Sequence, residues 1–149
     1  MKDKVNEIQI SYREKIGTLK SDPIKGSKHA AKLIYNNWDK ETIGLQESFK
    51  ILLLNNSNKV KGVYPLSIGG ITGTLVDIRI LFAIVLKTLS VGILLTHNHP
   101  SYKLLPSEAD KRLTRKIKEA AQLLDINVLD HIIIAPNGEY YSFADNGLL

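Results

Sequence analysis

The run Val91-Gly92-Ile93-Leu94-Leu95-Thr96-His97-Asn98-His99-Pro100 decides the fold. Val91 to Thr96 is short and almost continuously apolar, the profile of a central strand buried on both faces. It ends at His97, and the loop beyond carries Pro100 and Pro106. Ser107 then opens a helix to about Leu124, in which Leu113, Ile117, Ala120, Ala121 and Leu124 form one apolar stripe. Val128 to Ala135 reads as the next strand. Pro136-Asn137-Gly138-Glu139 supplies a hairpin turn, and Tyr140 to Phe143 the returning strand.

Working upstream, Asp77 to Leu89 is helical in pattern and mostly apolar, so a largely buried helix is expected. The stretch Ile68-Gly69-Gly70-Ile71-Thr72-Gly73 reads as a loop. Ser48 to Leu54 is an extended apolar run closed by Asn55-Asn56-Ser57-Asn58, and Val60 to Ser67 completes a hairpin. Ala30, Leu33, Ile34 and Trp38 recur at helical spacing to about Lys40, with Asp22-Pro23 as cap and first turn. Residues 1 to about 21 are weakly patterned and read as a leader or a short outer helix. Strands alternating with helices, plus two hairpins, predict one α/β domain on a mixed sheet. Residues 1–40 would be a leader and helix packed on a domain spanning 41–149.

Composition bounds the function. The chain has 149 residues, 44% of them apolar and 23% charged, enough to bury roughly two-thirds of the unfolded surface in one core. Its net charge of +5 favours nucleic acid or an acidic partner, or serves solubility alone. With no cysteine, disulfides are excluded and any metal must be held by His, Asp or Glu. The N-terminus has no signal-peptide core, and the longest apolar run, Ile80 to Leu86, falls short of the ~20 residues a bilayer needs. A cytoplasmic protein with no membrane contact is expected.

His97 and His99 lie two apart in an extended segment, so both imidazoles point to one side and can reach one ion. Imidazole suits zinc, and an open catalytic site adds a third protein ligand. Asp110 falls within about 20° of Ile117 on the helix wheel, so its carboxylate faces the apolar stripe, where only a partner offsets burial. Ser107-x-x-Asp110 equally fits a capping box, and a cap at the helix start can also present its hydroxyl to the site. Glu47 enters the strand on the face of Phe49, Ile51 and Leu53. It is either a general base at the mouth of that row or a strand-end acid turned to solvent. Asp130-His131 is either an outer pair supporting the metal or a structural histidine satisfied by a carbonyl.

The string His97-Asn98-His99-Pro100, six residues, Ser107, two residues, Asp110 resembles the JAMM motif of Jab/MPN metalloproteases. More narrowly, with Ser101, Pro106, Leu129 to Ile134 and Tyr141-Ser142-Phe143, it is similar to the RadC-like branch over about residues 40–149. The resemblance implies a three-layer α/β/α, cytidine-deaminase-like fold with a mixed central sheet. It implies Zn2+ on His97, His99 and Asp110, and Glu47 as general acid/base on the zinc-bound water. Ser107 would donate to the developing oxyanion, an interaction on the order of 3 kcal/mol. The implied activity is that of a zinc metallopeptidase or isopeptidase, with a peptide or isopeptide substrate.

Two departures stand out. Where that branch usually has Gly-Asp after His-Asn-His-Pro-Ser, Tyr102-Lys103-Leu104-Leu105 occupies the loop, which should be stiffer and more apolar. Only about 40 residues precede the motif-bearing part, so the helix-hairpin-helix region usual upstream is not expected. Two rival readings remain: a DNA-associated RadC-like protein with a repair or nuclease-type role, and a non-catalytic metal-binding module. The first draws on Lys111, Arg112, Arg115, Lys116 and Lys118, a basic helix face able to make weak nucleic-acid contact or simply solvated.

Overall fold

A computed structural model describes residues 4–14, 22–70 and 75–149. The leader reading of residues 1–21 and the glycine loop reading of 68–73 fall partly outside them. The elements run α1 (Ser27–Asn36), β1 (Ser48–Leu54), β2 (Val60–Ile68), α2 (Ile78–Lys87), β3 (Gly92–Asn98), α3 (Glu108–Leu123), β4 (Asn127–Ile134) and β5 (Tyr140–Ser142). One five-stranded sheet has the order β2-β1-β3-β4-β5. β1 pairs antiparallel with β2 and β3, β3 parallel with β4, and β4 antiparallel with β5, so the sheet is mixed as expected.

The period-two pleat divides the core in two. Phe49, Ile51 and Leu53 of β1 and Ile93 and Leu95 of β3 face α2 and α3. Leu52, Leu54, Leu94, Ile132 and Ile134 face the other way, onto α1, Trp38 and Ile43. Helices therefore cover both faces, which makes three layers. β3 is buried at every position, and it is flanked by strands on both sides. Each fully buried Leu or Ile on such a strand contributes about 2 kcal/mol. The edge strand β2 is half exposed and carries Pro65, tolerated there because an edge can lack a ladder donor.

Three local expectations change. α1 starts at Ser27 and not at Asp22-Pro23. The Ile24 N–H is drawn to the Asn58 carbonyl (2.9 Å) in the β1–β2 turn, and Gly26 takes a φ of 153° that ends the extended approach. α2, capped by Asp77, is less buried than its composition suggests. Leu81, Phe82 and Val85 meet the sheet, while Ile80 and Leu86 on the outer side stay about half exposed. On α3 the fully buried set is Thr114, Ile117 and Ala121; Leu113 and Ala120 pack at its margin, and Leu124 is exposed. The α3 crossover brings β4 alongside β3 in parallel, so both strands end at the same edge of the sheet. Crevices outside such carboxyl ends are where open α/β sheets bind ligands.

Candidate metal centre

β3 delivers His97 and His99 to that edge. His97 is fully buried and stands opposite Phe49 of β1, whose ring stacks on it at 5.8 Å and 9°. The His99 N–H bonds to the Ile134 carbonyl at the end of β4 (3.0 Å), continuing the ladder one step past the strand. α3 delivers Asp110 from its first turn. Its capping box is real: the Ser107 hydroxyl accepts the Asp110 N–H (3.0 Å), and Asp110 Oδ2 accepts the Ser107 N–H (2.8 Å). The cap uses a lone pair of the Ser107 oxygen and not its hydrogen. Glu47 leads into β1 and is only 8% exposed, turned into the site rather than to solvent.

The four side chains converge. Asp110 Oδ1 lies 3.4 Å from His97 Nε2, and Oδ2 3.5 Å from His99 Nε2. Glu47 Oε1 stands farther off, 3.6 Å from His97 Nε2 and 3.9 Å from His99 Nε2. One donor atom from each residue falls within 4.8 Å of all the others, so the group can hold a metal ion. The donor set fits a small divalent cation. A tetrahedral ion with ligands at about 2.0–2.1 Å spaces its donors about 3.3–3.4 Å apart, close to the carboxylate–imidazole distances. His99 Nδ1 sits 2.6 Å from the Lys103 carbonyl, which can only accept, so Nδ1 carries a hydrogen and Nε2 is the nitrogen turned to the cluster. That Nε2 is 2.9 Å from His97 Nε2, an approach that asks for a proton or a cation at the pair.

The two carboxyls are in unlike states. Burial opposes charge on Asp110, but the His97 and His99 rings beside it and the Ser107 N–H outweigh it and hold Asp110 far below the ordinary carboxylate range. For Glu47 burial dominates and raises its pKa, against the pull of His97 and His99 and with help from the Asp110 charge. His99 is raised: burial works against its charged form, but its bonds to Asp110 and the Lys103 carbonyl and the charges of Asp110 and Glu47 prevail. The groove above them encloses about 580 Å3, with Glu47, His97, His99, Ser107 and Asp110 at its base. Phe49, Val76, Leu105 and Leu113 give it apolar walls.

All five sequence-predicted site residues thus meet at one cleft. Of the Asp130-His131 pair, only His131 reaches the centre, its Nε2 2.8 Å from His97 Nδ1. Asp130 faces away and accepts from Ser142 Oγ (2.6 Å), the Ala144 N–H (3.0 Å) and the His131 N–H (2.7 Å). Burial raises its pKa despite these bonds, led by the one from Ser142. Sequence reading missed Asn98. Pointing opposite to His97, it donates to the Ile43 and Gln46 carbonyls (2.7 and 2.9 Å) and accepts the Ser48 N–H (2.7 Å). Those bonds clamp the loop that carries Glu47. The signal was there: a fully buried Asn beside two site histidines needs partners for both ends of its amide. Thr114 was missed too; its hydroxyl donates to the Asp110 carbonyl (2.8 Å) and meets His131 Nδ1 (2.6 Å). The basic face of α3 is largely solvated, with Arg112, Arg115 and Lys116 exposed and Lys111 paired with Glu108.

A model of the RadC-like JAB domain matches residues 24–148. Similar curated proteins, each named UPF0758 protein, include one from Flavobacterium johnsoniae, 52% identical over 102 residues covering 68% of this chain and 44% of the relative. A second, from Porphyromonas gingivalis, is 44% identical over 70% of this chain and 46% of the relative. A third, from Aromatoleum aromaticum, is 40% identical over 78% of this chain and 53% of the relative. The chain spans about half the length of the curated relatives it matches. Among the described residues no helix is long and apolar enough to cross a membrane.

Proposed function

The chain belongs to the RadC-like JAB domain family, and from that premise we propose that it is a zinc-dependent metallohydrolase cutting an amide or isopeptide bond. His97, His99 and Asp110 are the metal ligands in this reading, and Glu47 the proton carrier. The observation that carries it is the convergence of Glu47 and Asp110 on one pair of imidazoles at the groove, a donor atom of each within 4.8 Å of the others; beside it, Asp110 is driven down and Glu47 up. Titratable neighbours whose surroundings push them apart divide the work of ligand and acid/base.

Zinc would supply Lewis acidity, polarising the scissile carbonyl and bringing the pKa of water towards ~7. Glu47 takes the proton of the attacking water and returns it to the leaving nitrogen; a carboxyl whose burial strengthens its hold on a proton suits both halves of that task. Ser107 keeps its hydroxyl hydrogen for the oxygen on which charge develops, because the helix cap uses only a lone pair. The apolar walls of the groove strip water from an extended peptide segment lying over these groups. We also infer a cytoplasmic setting, with which a chain free of cysteine is compatible.

The test is Glu47→Gln. It should keep the metal and lower turnover of a responsive peptide or amide from a library by about 100-fold or more. Undiminished turnover, or loss of zinc, would contradict the role. Exposed Arg112, Arg115 and Lys116 favour a second reading, nucleic-acid contact along α3. Gel shifts on single- and double-stranded DNA that weaken steeply with salt would support it, and no shift at low salt would remove it.

A further inference from the structure

His97 Nδ1 does not meet a carbonyl, as His99 Nδ1 does, but the ring nitrogen of His131. Imidazole can donate or accept at either nitrogen, so this contact alone leaves the direction of the hydrogen bond open. Thr114 closes the question. Its single hydroxyl hydrogen is committed to the Asp110 carbonyl four residues back (2.8 Å), so towards His131 Nδ1, 2.6 Å away, it can only accept. His131 Nδ1 therefore carries the hydrogen. His131 is fully buried between the Phe49 and Phe143 rings, and among the described residues no carboxylate pairs with it, so its Nε2 is an acceptor and His97 Nδ1 donates to it. With its hydrogen on Nδ1, the His97 imidazole presents Nε2 to Glu47, His99 and Asp110. The rings are also held in plane, His97 by Phe49 and His131 by Phe143, whose ring stacks at 4.5 Å and 15°.

We propose that Thr114 and His131 are positioning residues that hold His97 in the tautomer and orientation needed to ligate. The proposal rests on the metal reading of the cluster. It explains why a threonine stands in the buried stripe of α3, where the wheel alone would favour an aliphatic residue. It also ties the Asp110 turn to His97, since one hydroxyl bonds both the Asp110 backbone and the ring behind His97.

The direct experiment is long-range 1H–15N correlation on the metal-free, 15N-labelled protein, which reads each histidine tautomer. His97 and His131 should both be protonated at Nδ1 and not at Nε2; the Nε2–H tautomer at either ring overturns the proposal. Competition with a chromophoric zinc chelator then compares Thr114→Val with Thr114→Ser. Losing the hydroxyl at nearly constant shape should weaken zinc binding about 10- to 100-fold, while serine retains it. Wild-type affinity in the valine variant would overturn the proposal. Should that variant fail to fold, the wild-type tautomers still decide. The expected tautomers in a wild-type protein that takes up no zinc would support the relay while removing the metal reading beneath it.

Discussion

Tyr102 has a φ of +68°, in the left-handed region that a side chain enters at a cost and glycine enters freely. It is the position where the RadC-like branch usually has glycine. The loop keeps a glycine's backbone shape without a glycine, and its turn is closed by the Tyr102 N–H on the His99 carbonyl (3.1 Å). Because the Tyr102 side chain is exposed, Tyr102→Gly removes strain and little packing. We expect it to raise stability by about 1 kcal/mol in urea unfolding, without loss of zinc; a destabilised variant would show that the ring is holding the loop. Ser107→Ala should cost about 1 kcal/mol through the lost cap. If Ser107 also donates to the oxyanion, kcat should fall by about 100-fold or more, far beyond what that stability loss explains.

Among the elements, the end of β3 does two jobs on its two faces. His97 points to the α3 side and into the cleft, and Asn98 points to the α1 side and grips residues 43–48. Asn98→Ala would leave the Ser48 N–H and two carbonyls without that amide inside the protein. We expect about 3 kcal/mol of destabilisation and a drop in turnover greater than any drop in zinc content, because Glu47 is released while the ligands stay. Equal stability in wild type and variant would contradict the clamp. The strands and α3 were legible in the sequence because their burial is one-sided or complete, and hydrophobic period reports that directly. The start of α1 was not, since Asp22-Pro23 has good cap chemistry but a backbone bond from Ile24 to Asn58 outcompetes it. The candidate ligands could be read from spacing within one strand and one helix. His131 and Thr114 could not be placed against His97, because their contact depends on which strand lies beside β3 and in what register.

For the molecule as a whole, the centre couples folding to pH. In the metal-free protein Asp110 lies far below its ordinary 3.8, burial notwithstanding, through the two histidine rings beside it and the Ser107 N–H. The folded chain then binds fewer protons there than the unfolded chain, so stability rises with pH. The Asp110 contribution is complete above 3.8 and is lost as pH falls below it. Asp110→Asn should flatten the acid limb of unfolding below about pH 4, and an unchanged limb would contradict the assignment. In the proposed reading cleft, relay and clamp all converge on a metal, so the most direct test is the zinc content of the purified protein beside His97→Ala and Asp110→Ala. About one equivalent of zinc is expected in the wild type and almost none in either variant. Less than about half an equivalent in the wild type, or zinc that survives the loss of these ligands, would contradict it.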